Sequence, residues 1–173
     1  DRCEGMWAFA VYDDADKTLT LCRDRFGEKP LYVYRGEDGL CFGSEPKNIF
    51  GLLGRSLDVN QDHLQRYLVN GYKSLYKRDG ETFFRDLTEV ASGTLLRISA
   101  SGDVSTERYW RPGCDVDDSM TYDDAVAVAR ERLIRSVELR LRADVPIAFC
   151  MSGGVDSNSL ISIAKKVFEP YFF

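Results

Sequence analysis

No Cys-x-x-Cys pair occurs in this chain, and its five cysteines (Cys3, Cys22, Cys41, Cys114, Cys150) are an odd number. A disulfide frame or a structural zinc site would need paired thiols, so free thiols in a reducing, cytoplasmic compartment are expected. Histidine is almost missing. His63 stands alone in a polar, helix-like stretch, where a solvated surface residue is expected rather than a catalytic base. Positive charge is not in excess: 23 Lys and Arg against 28 Asp and Glu leave −5. No broad basic surface therefore recommends a nucleic acid as partner. No apolar run approaches the length that crosses a bilayer, and the start, Asp-Arg-Cys-Glu-Gly, has no signal-peptide character. Neither nucleic acid nor membrane is an expected partner.

What is present is an ordinary globular composition, 44% hydrophobic and 29% charged, over 173 residues, enough for one domain or two small ones. Its most informative stretch runs from Ile147 to Ser159. An apolar segment of strand length, opened by Pro146, meets Ser152-Gly153-Gly154. Apolar residues at helical spacing follow: Leu160, Ile161, Ile163, Ala164 and Val167. Strand, tight loop and helix together aim backbone N–H groups and the positive end of a helix at an anion. Gly153 and Gly154 let an anion approach the backbone, and Ser152 and Ser157 add hydroxyl donors. Asp156 would repel a phosphate unless a divalent cation bridges the two; otherwise it caps the helix. An ordinary strand-to-helix turn is the plain alternative for the whole loop. No G-x-x-x-x-G-K-[ST] stands here, so this is not a Walker loop.

Along the chain, residues 6 to 12 are apolar at almost every position and suit a strand buried on both faces. A polar turn at residues 13 to 17 leads into a return strand from Thr18 to Cys22. A second hairpin is expected from Leu31 to Ser44 around the turn 36 to 39. A helix follows, capped by Ser44 with Pro46 in its first turn. Asn60 is expected to cap a second helix carrying Leu64, Tyr67 and Leu68 on one face. Residues 71 to 86 read as loop, and a last hairpin joins Leu95–Ile98 to Val104–Trp110 around Ser101-Gly102-Asp103. Thr121 and Asp124 resemble a capping box, ahead of a stripe of Val126, Ala129, Leu133, Val137 and Leu141. The change from hairpins to helix, strand, loop and helix marks a domain boundary near residue 115. Arg23, Asp24 and Arg25 are read as a charged strand end that fixes a loop by ion pairing, and Glu45 and Lys47 as the first turn of a helix.

The hexapeptide Ser152–Ser157 resembles the S-G-G-x-D-S loop of the ATP pyrophosphatases, which split ATP between its α and β phosphates. A second match is independent of it. Arg23-Asp24-Arg25-Phe26-Gly27-Glu28-Lys29-Pro30-Leu31-Tyr32, then Phe42-Gly43-Ser44-Glu45-Pro46-Lys47, resemble the second half of the glutaminase domain of asparagine synthetases. Gly5 to Asp13 is similar to the strand preceding that segment, and Val145-Pro146 to the approach to the ATP site. The resemblance covers residues 5 to about 167 and implies a member of the glutamine-hydrolysing asparagine synthetase family.

The resemblance implies an α+β nucleophile-hydrolase sandwich of αββα type, in part, over residues 1–112. A linker is then expected over 113–120, and the start of an α/β nucleotide-binding domain over 121–173. Implied substrates are aspartate, glutamine and ATP, the last with Mg2+; a homodimer of the parent enzyme is left open. Ser152, Gly153, Gly154, Asp156 and Ser157 would hold the pyrophosphate portion of ATP, with Cys150 where the strand backbone meets the nucleotide. No metal site of the chain's own and no catalytic residue carry over. The family's nucleophile is a first-residue cysteine using its own amino group, whereas Cys3 is internal and read as structural. The glutamine-binding segments are expected before residue 1, and the second ATP motif and aspartate-binding residues after residue 173. The chain is thus read as an internal piece of a longer enzyme. A β-lactam-forming synthetase, an amidotransferase of peptide or polysaccharide assembly, and a non-catalytic ATP-binding remnant stay open.

Overall fold

Apolar stretches separated by Asp- and Gly-containing turns fold the first part of the chain into antiparallel strands. The computed structural model describes residues 3–37, 39–70, 78 and 80–168. They fall into two compact units, Asp1–Gly113 and Cys114–Phe173. The first unit runs β1 (Ala8–Asp13), β2 (Thr18–Arg23), β3 (Tyr32–Gly36), β4 (Gly39–Gly43), α1 (Pro46–Leu53), α2 (Gln61–Asn70), β5 (Leu87–Glu89), β6 (Thr94–Ile98) and β7 (Val104–Arg108). The second contains α3 (Tyr122–Arg140) and α4 (Val155–Phe168).

Two antiparallel sheets result, a four-stranded one ordered β1-β2-β6-β7 and a three-stranded one ordered β4-β3-β5. The three hairpins expected from sequence are all present, the middle one around a turn whose Asp38 lies outside the described residues. Register places Leu21 opposite Ala10 on one side and Leu96 on the other. Alternation then sends one side chain in two to the same face. Leu21 and Ile98 of the larger sheet pack with Leu31, Val33 and Val90, so the sheets share one apolar core. The opposite face of the smaller sheet presents Tyr34 and Leu87 to Ile49 of α1 and to Leu57. Sheet, sheet and helix α1 therefore form successive layers, a mixed α/β architecture.

Some expectations fail, each for an identifiable reason. The strand read as buried on both faces is β1, an edge strand that is exposed along most of its length, with Val11 54% exposed. Its apolar run is real, but burial depends on neighbours that a single stretch does not encode. Glu45, not Ser44, occupies the cap position of α1 and makes no side-chain cap bond, while Gly54 closes the helix in the left-handed region at φ 67°. Asn60 does cap α2, accepting the His63 N–H at 3.2 Å. His63, however, is 3% exposed, whereas Leu68 lies in the open. The imidazole edges Phe83 with ring centroids 4.6 Å apart and sits 3.4 Å from a Glu81 carboxylate oxygen that Arg66 also engages. An aromatic wall plus a polar partner makes this burial tolerable, so helical periodicity counted on apolar residues alone chose the wrong face. The expected loop at 71–86 lies outside the described residues at 71–77 and 79. The remainder holds isolated bridges, Val59 with Phe84 and Glu81 with Thr88.

In the second unit Thr121 caps α3 as expected, accepting the Asp124 N–H at 3.2 Å and donating to the Asp124 carboxylate at 2.6 Å. α3 and α4 pack on each other. Val137 and Ala164 are buried, but Val126, Leu133 and Leu160 remain exposed. The strand expected from Pro146 to Met151 is absent: no residue of this unit is assigned to a strand among those described. A β-strand exists through the ladder it makes, and the described residues of this unit offer no second strand to pair with it.

Candidate functional site

The loop 152–157 forms without the strand because its determinants are local. Gly153 has φ +82°, a conformation costly for any residue with a Cβ, and nothing lies within 4 Å of the position that Cβ would take. The chain thereby turns into α4, whose first N–H groups have no acceptor within the helix. The Ser157 hydroxyl donates to the Gly154 carbonyl at 3.1 Å and lies 3.1 Å from the Ser152 hydroxyl. Asn158 N–H closes the first helical turn on the same carbonyl at 3.2 Å. Two hydroxyls, two glycines and a helix N-terminus thus converge, all open or half-open to solvent. That donor set suits a polyphosphate oxygen surface.

Asp156 is the second residue of α4 and does not occupy its cap position. Its carboxylate accepts no hydrogen bond among the described residues. Capping therefore does not account for it, although an acidic residue in the first turn does favour the helix. Cys150 is exposed in the apolar run just before the loop. Five of the six sequence-predicted residues, Ser152, Gly153, Gly154, Asp156 and Ser157, lie together at the turn. Cys150 precedes the turn and makes no hydrogen bond to them among the described residues. Among the described residues no group of three His, Cys, Asp or Glu side chains could hold a metal ion by itself. No helix there is long and apolar enough to cross a membrane.

The first unit contains a second built feature, at the end of β2. Arg23, buried, donates from Nε to the Lys29 carbonyl at 2.8 Å, from Nη1 to Val90 at 2.5 Å and from Nη2 to Gly27 at 2.7 Å. Its Nη2 also lies 2.8 Å from Glu89. Asp24, only 1% exposed, accepts the N–H groups of Phe26, Glu28 and Lys29 at 3.1, 3.0 and 2.9 Å. Burial opposes charge on Asp24, but these backbone donors outweigh it and hold the carboxyl below its ordinary 3.8. Arg23 and Asp24 thus fix the 24–30 loop as expected, though mainly through main-chain groups rather than ion pairs. Arg25 lies over the Trp7 ring at 5.4 Å, and Phe26 edges Trp110 at 4.9 Å.

Sequence reasoning missed Tyr109, whose hydroxyl donates to the Arg23 carbonyl at 2.7 Å across 86 residues. It also missed buried Thr82, which donates to the Leu87 carbonyl at 2.8 Å. Neither carries a local signal; only the sheet pairings bring the partners together.

A family model described as a glutamine amidotransferase domain matches residues 1–110, and one described as asparagine synthase matches residues 128–171. Glutamine-hydrolyzing asparagine synthetase 1 of Bacillus subtilis is 29% identical over 170 residues, covering 98% of this chain and 26% of that protein. A putative glutamine-hydrolyzing asparagine synthetase of Mycobacterium tuberculosis is 33% identical over 176 residues, covering 95% of this chain and 26% of its own length. Amidase chry2 of Gibberella zeae is 29% identical over 168 residues, with 95% of this chain and 24% of that protein covered. The chain spans about a quarter of the length of the curated relatives it matches.

Proposed function

Because the chain belongs to the glutamine amidotransferase domain family, with an asparagine synthase match after it, we propose that it serves an ATP-dependent, glutamine-hydrolysing asparagine synthetase. On this reading residues 1–112 are part of a nucleophile-hydrolase sandwich, and residues from 121 open the nucleotide-binding domain. Aspartate oxygen attacks the α-phosphorus of ATP and pyrophosphate leaves. Ammonia released from glutamine then displaces AMP from the aspartyl adenylate to give asparagine. No catalytic nucleophile is assigned to this chain; its contribution is to bind.

The observation that carries the proposal is the Ser152–Ser157 turn at the start of α4. The backbone donors of Gly153, Gly154 and the first turn, with the hydroxyls of Ser152 and Ser157, take the β and γ phosphates. The Ser157 hydroxyl exchanges its bond to the Gly154 carbonyl for one to phosphate. Asp156, whose carboxylate accepts no hydrogen bond among the described residues, would hold the Mg2+ that accompanies ATP, and the cation would offset the repulsion between carboxylate and phosphate.

The test is pyrophosphate release by the enzyme carrying Asp156→Ala, with ammonia or glutamine as nitrogen source. Loss of one charge-bridged contact to developing pyrophosphate slows adenylation about a thousandfold. Ammonia does not rescue it, because activation rather than nitrogen supply is impaired, while glutamine hydrolysis survives at least in part. Near-normal synthesis from ammonia by the variant overturns the site. A second reading is a ligase of the same fold with another carboxylate substrate; a relative named as an amidase shows that the match is not confined to proteins named asparagine synthetase. Substituting other carboxylic acids for aspartate in the same assay separates the two.

A further inference from the structure

We draw no further inference here: the strongest candidate, the polar cleft of the first unit lined by Arg23, Gly27, Glu89 and Ser92 together with the exposed Arg78 and Arg108, has its one buried cation already engaged by the carbonyls of Gly27, Lys29 and Val90 and by Glu89, and nothing in the structure shows what the two exposed arginines would bind.

Discussion

Replacing Asp24 by Asn keeps the shape of the side chain and removes its charge, which isolates what the carboxylate does for the 24–30 loop. One carboxylate oxygen accepts from Phe26 and Glu28, the other from Lys29. An amide oxygen can serve the first pair, but the amide nitrogen then faces the Lys29 N–H, donor against donor. Two charge-assisted bonds become neutral ones, at about 1 kcal/mol each, and one donor loses its acceptor at about 1–3 kcal/mol. Relief from burying a charge offsets part of this, leaving about 3 kcal/mol, a large share of a typical domain stability of roughly 5–15 kcal/mol. Trp7 and Trp110 are the only tryptophans and both lie in the first unit, so their fluorescence reports on that unit even if the second unfolds separately. With a urea slope of about 1.5 kcal/mol/M, the midpoint falls by about 2 M. The pH dependence gives an independent check. The folded carboxyl titrates below the ordinary 3.8, so the unfolded chain takes up the proton first. Its contribution is whole above about pH 4 and is lost as pH falls through the lower folded value. The gap between wild type and Asp24→Asn therefore narrows on acidification. An unchanged midpoint at pH 7, or a gap that widens toward low pH, refutes the reasoning.

Three further outcomes are expected. Burial above all, with Cys22 alongside, pushes the Tyr109 hydroxyl up to about 12 from 10.0. A raised folded pKa stabilises below pH 10 and loses that contribution as pH rises through 12; ultraviolet titration should show a late-ionising step that Tyr109→Phe removes. Burial also raises the Cys22 thiol, so a disulfide reagent at pH 8 should label exposed Cys3, Cys114 and Cys150 first and Cys22 only on unfolding; equal rates at Cys22 and Cys150 contradict this. Exposed apolar residues along α3 and α4 leave the second unit with little buried area, so hydrogen exchange across 122–168 should be fast beside that of β2 and β6; slow, cooperative protection there in a monomer would count against it.

Much of the first unit was legible because its hairpins are local. Alternation and turn residues place β1 with β2, β3 with β4 and β6 with β7. The pairings of β2 with β6 and of β3 with β5 join segments far apart in sequence, and no periodicity announces them. β5, only three residues long, gives no pattern to detect. The Arg23–Asp24 clamp was readable as a loop fastener from its charges. Its true partners were not, because backbone carbonyls and N–H groups are the same at every position. His63 shows the converse error. A lone histidine among polar residues reads as solvated, yet Phe83, Glu81 and Arg66 close around it from outside its own helix or from one turn away.

The second unit separates two kinds of determinant within a single motif. The turn into α4 depends on a positive φ at Gly153, on the Ser157 hydroxyl reaching Gly154, and on a helix that starts at Val155. All of these act within six residues, so the turn takes shape with no sheet beside it. The apolar run before it, from Ile147 to Met151, has strand composition but forms no ladder among the described residues, and Ile147, Phe149 and Met151 stand exposed. A strand buried on both faces is defined by its neighbours, whereas an anion-binding turn is defined by its own glycines and hydroxyls. The residues closest to the proposed chemistry are thus the ones whose geometry the local sequence dictates. The support that would hold them rigid is a property of tertiary pairing. A turn built this way presents its donors, but precise placement of a phosphate needs the strand beneath it to be fixed as well. If the turn takes polyphosphate as proposed, its affinity should therefore rise when residues 146–151 pair into a sheet, and the sequence of the turn alone sets only which groups bind.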